Sequence, residues 1–172
     1  MAANTLVSKL TLLVSSLLQN TVGVAPVIAT AEASPMVALA NGVAADQADL
    51  LFSNTVTLSA SATLDYDLAG AAMLDIFGVA VAFARIKAIV IIAAAGNTND
   101  VVLGGAAAAQ FYGPFGAATD TIAVRPGGIL VMAAPDATGW PVTPTTADIL
   151  RVANGAGGTS VTFDIVIIGA SA

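Results

Sequence analysis

Asp65 and Asp67 stand two residues apart on one face of an alternating stretch, with Asp75 close behind. Two positioned carboxyls can act as the acid and base of a glycosidase pair, and a cluster of oxygens can hold Ca²⁺. Calcium takes about six to eight oxygen ligands, however, whereas the polar face of a strand requires only water. Exposed aspartates on such a face are the expected reading. The stretch Asn97-Thr98-Asn99-Asp100 also offers oxygens, but it has neither EF-hand nor nonapeptide-repeat spacing, and a turn accounts for its residues. Gly104-Gly105 and the glycines of 155–158 lack the lysine of a P-loop and the strand and helix context of a dinucleotide fingerprint.

The remaining chemistry is sparse. There is no His and no Cys, a single Glu (Glu32), two Lys (Lys9 and Lys87) and three Arg (Arg85, Arg125 and Arg151). Acids, bases, nucleophiles and metal ligands are drawn mostly from the types that are missing. The expectation is a protein that is not an enzyme, with no cofactor, no metal and no small-molecule substrate. Without cysteine there is no disulfide framework. A net charge of −6 and a pI near 4.1 argue against nucleic acid, since phosphate binding needs a basic stripe.

Charged residues make up 9% of the chain and apolar ones 57%, against about 25% charged in an ordinary soluble domain. A monomer with so little charge cannot cover itself with solvated groups, so neighbours are expected to occupy much of its surface. A membrane is not the expected neighbour: a spanning helix needs about 20 apolar residues, and the longest uninterrupted run is Ala88 to Ala95. Leu10 to Leu18 followed by Ala29-Thr30-Ala31 imitates a secretory signal, but only Lys9 precedes the apolar stretch, and no signal peptide is expected.

Two parts must position these residues: an arm over 1–45 and a body over 46–172. In the arm, Leu6, Leu10, Leu13 and Leu17 recur at spacings of four, three and four, which predicts a helix from about Asn4 to Gln19. Its stripe, widened by Val7 and Val14, packs either on its own domain or on another subunit. From Thr21 to Asp49, Gly and Pro interrupt an apolar chain, which predicts an extended arm laid across protein.

The body reads as short strands separated by turn signals about every ten residues, the grammar of an antiparallel all-β sandwich. Val161, Phe163 and Ile165 alternate with Thr162 and Asp164, and the same pattern marks 55–59 and 64–68. Ile89 to Ile92 is apolar on both faces and marks the central strand; Val166 to Ile168 is apolar on both faces and is expected to be covered. Arg125-Pro126-Gly127-Gly128 fits a type II turn. Candidate strands number about eight, at 52–59, 62–68, 79–84, 85–94, 100–104, 121–125, 128–133 and 148–153, with 160–168 as a ninth if 79–94 is not one long strand. This count suits a jelly roll, which has about eight.

Candidate interface residues follow: the four leucines, the basic pair Arg85 and Lys87, and Phe111, Tyr112 and Phe115 in an aromatic loop. Arg85 and Lys87 share a face and could pair with Asp65, Asp67 or Asp164 across strands, or with acids of a neighbour. The aromatic loop is either a contact patch or the plug at one end of the sandwich.

The segments Phe83-Ala84-Arg85-Ile86-Lys87-Ala88-Ile89, Gly104-Gly105-Ala106, Val124-Arg125-Pro126-Gly127-Gly128 and Asp148-Ile149-Leu150-Arg151-Val152-Ala153-Asn154, with the ending Ser160 to Gly169, resemble small capsid-associated proteins of tailed bacteriophages. The resemblance spans about residues 50–172. It implies a jelly-roll cement or decoration protein on the outer surface of an icosahedral head, bridging neighbouring major capsid protein subunits and associating with copies of itself as a dimer or trimer. The alternative is a tail, baseplate or head-fibre module whose Trp140, Tyr112 and Phe115 stack on a host glycan.

Overall fold

A computed structural model describes residues 5–22, 25–70 and 72–172, and every regular element among them is a β-strand. In chain order these are β1 (Ser8–Thr11), β2 (Val14–Val22), β3 (Ala25–Ala33), β4 (Met36–Asn41), β5 (Gln47–Ala48), β6 (Leu50–Leu58), β7 (Thr63–Asp67) and β8 (Met73–Leu74). They continue as β9 (Ala80–Val81), β10 (Arg85–Ala93), β11 (Val101–Gly104), β12 (Thr121–Val124), β13 (Ile129–Ala133), β14 (Trp140–Pro141), β15 (Ile149–Asn154) and β16 (Val161–Ala170).

Two antiparallel sheets form the body. One runs β13-β10-β16-β6, with β14 also pairing β10; the other runs β12-β11-β15-β7. The pairings are nested along the chain: β6 with β16, β7 with β15, β10 with β13 and β11 with β12. Alternation drives this arrangement. In β16, Val161, Phe163, Ile165 and Ile167 are buried while Asp164 is exposed, and in β7, Tyr66 is buried between Asp65 and Asp67. The inward side chains of both sheets share one core, in which Ile89 and Ile91 of β10 meet Phe163 of β16, Leu103 of β11 and Leu150 and Val152 of β15. Phe52 and Tyr66 stack edge to face at 5.5 Å across the two sheets.

The turns follow their residues. Gly127 has φ of 72° and the Gly128 N–H donates to the Arg125 carbonyl at 2.7 Å, the type II geometry that Pro126-Gly127 specifies. Asn97 exchanges two hydrogen bonds with the Thr162 backbone, and Asn99 and Asn154 tie down the 155–159 loop through its carbonyls. The oxygens of this region therefore serve turns.

The expected helix over Asn4–Gln19 is replaced by strands. β1 pairs β4 antiparallel, β4 pairs β5 in parallel, and β2 pairs β3 along its whole length. The leucine spacing explains the substitution. An interval of four is even, so Leu6 and Leu10 share one face of a strand as readily as one stripe of a helix. The interval of three between Leu10 and Leu13 falls at the break between β1 and β2, where a strand can change phase. β-branched Thr5, Val7, Thr11, Val14, Thr21 and Val22 then favour the extended form.

The small β1-β4-β5 sheet lies on the outer face of the first body sheet. Leu39 of β4 and Ala48 of β5 are buried against Ala88 and Ile168, with Leu6, Leu10 and Val37 packed alongside. This covers the end of β16 that is apolar on both faces.

Candidate interaction surface

Each reactive-looking carboxylate has a structural partner. Arg151 of β15 lies directly opposite Asp65 of β7 and grips it with two bonds, Nε to Oδ1 at 2.6 Å and Nη2 to Oδ2 at 2.7 Å. The bonds from the guanidinium hold the Asp65 carboxyl below the usual carboxylate range and raise Arg151 in return. Asp67 accepts the Gly70 N–H at 2.7 Å, and Asp75 accepts those of Phe77 and Val79 at 2.8 Å each. Among the described residues no three His, Cys, Asp or Glu side chains gather into a metal-binding group.

The basic pair lies on the same strand, and among the described residues neither member pairs with Asp65, Asp67 or Asp164. Lys87 forms a bulge in β10, where the pairing with β16 steps from Ile86↔Gly169 to Ala88↔Ile168. It is fully buried beneath the 134–139 loop, and its ammonium donates to the Asp136 carbonyl. Burial pushes this amine below its usual range, an effect partly offset by the nearby Asp136 carboxylate. The Arg85 guanidinium donates to the Ala137 carbonyl at 2.6 Å. Gly139 closes the same loop at φ of 57°, where a Cβ would stand 2.7 Å from the Ile86 carbonyl. Both cations therefore fasten a loop to the sheet.

In the aromatic loop, Phe111 is fully buried and Phe115 packs on the core, leaving Tyr112 as the exposed ring of the three. Trp140 is partly buried against the core, above Gly113. The loop closes one end of the body. Tyr66, packed on Phe52 in the core, is buried too; its hydroxyl has no hydrogen-bond partner among the described residues, and burial pushes it up to about 12.

The leucines divide. Leu6 and Leu10 rest on the β1-β4-β5 cluster, whereas Leu13 and Leu17 are exposed. Further apolar exposure occurs at positions that sequence reasoning did not select. β8 and β9 form a short hairpin whose turn is closed by Asp75, the Asp75 N–H donating to the Val79 carbonyl and the Gly78 N–H donating to the Asp75 carbonyl. This ordered turn holds Ile76 and Phe77 out to solvent at 84% and 76% exposure. Ile129 and Val131 of β13 and Ile92 of β10 form a second apolar surface on the outer face of the first sheet. One signal for the latter was available: β10 and β13 are apolar on both faces, and only one face can enter the core.

No family model matches the chain, and neither the curated proteins nor the solved structures contain a match to it. The surface itself carries the functional argument.

Proposed function

We propose that this chain is a structural virion protein, a cement or decoration protein on the outer surface of an icosahedral bacteriophage head. It stabilises the head by bridging neighbouring major capsid protein subunits and by associating with copies of itself as a dimer or trimer. The observation that carries this reading is the outward presentation of Ile76 and Phe77 on a turn whose hydrogen bonds are made by Asp75. An apolar side chain held rigidly in water costs free energy that a protein neighbour recovers, at about 25 cal/mol per Å². Repeated with symmetry over a shell, such contacts add up without any single one being strong.

The body supports the same reading. Nested pairing of first strand with last, and the alternation of the chain between two sheets that share a core, make a jelly-roll β-sandwich the architecture we assign. Asp65, Asp67, Asp75, Arg85, Lys87 and Arg151 are engaged in structure, consistent with a role that lies in interfaces. A glycan-binding tail module is less well supported, because Trp140 and Phe115 are packed inward and Tyr112 alone of that set faces solvent.

The test is to mix the purified protein with capsids that lack it. Binding that saturates at a fixed ratio to the shell protein and raises capsid melting temperature is expected. Failure to bind, with recognition of a host glycan instead, overturns the cement reading.

A further inference from the structure

Cα registers across the first body sheet define three rows on its outer face. The first, Ala133, Ala88, Ile168 and Leu51, lies where the β1-β4-β5 sheet packs. The second is Val131, Val90, Val166 and Ser53, and the third is Ile129, Ile92, Asp164 and Thr55. On the β13 side these two rows are open: Ile129 is 66% exposed, Val131 44% and Ile92 39%. Their one charge is Asp164, whose Oδ1 already accepts the Thr55 hydroxyl at 2.5 Å. One row of this face is thus covered, and the β13 side of the two rows beside it is bare.

The β2–β3 hairpin has the complementary problem. It prolongs the β1–β4 ladder, which ends at Thr11↔Met36 and is followed by a bond from the Leu12 N–H to the Pro35 carbonyl at 3.3 Å. β2 and β3 then pair only with each other, over a length of about 30 Å. Residues 14–33 contain a single charge, Glu32, and the described side chains Val14 to Leu17 and Thr30 to Ala33 are all exposed. A lone two-stranded ribbon is marginal in water and gains stability when a third layer covers it.

We propose that the hairpin of one copy covers the open rows of β13 and β10 on a second copy. The root of this same ladder already packs Leu10 and Leu39 beside the bare rows, so its continuation has the chemistry that the face accepts. Among the described residues, Leu17 of the hairpin and Val131 of the sheet are both exposed, so neither covers the other within one chain. A second copy supplies both; reciprocal exchange closes into a dimer, and head-to-tail exchange into a ring of three. The inference rests on the self-association in the proposed function and adds the segments that perform it.

The chain has no cysteine, so single thiols report cleanly. One population carries Leu17→Cys and a second, size-tagged population carries Val131→Cys; the two are mixed and treated with a short bis-maleimide. The expected result is a mixed conjugate several-fold more abundant than that from Leu17→Cys with Ala118→Cys, an exposed position in the turn before β12. Equal yields overturn the exchange, as does a Leu17→Cys/Val131→Cys double variant that links only within one chain. Capsid binding is measured on the same samples. Lost exchange with retained binding removes this inference alone, whereas loss of both removes the self-association and the cement reading together.

Discussion

β16 and β2 are strands of similar length with opposite fates. β16 has neighbours on both edges, a core beneath it and the β1-β4-β5 sheet over one end; Val161, Ile165, Ile167 and Ala170 are wholly buried. β2 has one neighbour, β3, and its described side chains are exposed. β16 is the more apolar strand, yet β2 also carries Val14 and Leu17, and these stay exposed, so the apolar character of a side chain alone does not decide its burial. What separates them is the supply of covering layers within one chain, which the body exhausts on itself.

This contrast can be broken most forcefully from inside. Phe163→Ala removes a buried ring from the shared core and should cost about 3–5 kcal/mol by denaturant titration. A much smaller loss would mean that the two sheets do not share a well-packed interior. An intermediate effect is expected at the rim. Asp65→Asn removes the charge opposite Arg151 and should cost about 0.5–1 kcal/mol near neutral pH, a figure discounted because the pair is partly solvated. Asp65 is held below the usual carboxylate range when folded, so its contribution is complete above that range. It is lost as pH falls through the lowered value, and the variant should lack this segment of the acid unfolding curve. The smallest effect on stability belongs outside: Ile76→Ser with Phe77→Ser should change unfolding by less than about 0.5 kcal/mol per site while weakening capsid binding. Unchanged binding in that variant would move the contact with the shell elsewhere.

Much of the body was legible because strand periodicity and turn chemistry agreed. The alternation at 161–165, the turn at Arg125 to Gly128 and the central position of β10 all stand in the structure as the residues imply. The arm was legible only in its apolar character. Leucines four apart satisfy a strand and a helix equally, and no local signal announces that β3 will return to pair β2. The bulge that buries Lys87 was likewise invisible, because it depends on the 134–139 loop supplying a carbonyl from far along the chain. Phe111 shows the same limit: an aromatic in a loop reads as surface or plug with equal ease, and only the closing of the end of the body puts it inside. Ile76 and Phe77 were missed because an apolar pair between strands carries no direction of its own, and only the turn closed by Asp75 points it outward.

The central claim is that the arm and the outer sheet face are made to be covered by other protein. Molar mass of the full chain by light scattering, followed through serial dilution, tests it most directly. The account predicts a discrete dimer or trimer that persists on dilution and falls to monomer when Ile129 and Val131 are both changed to Asp. A stable, soluble monomer at every concentration, with these apolar surfaces left in water, would contradict it.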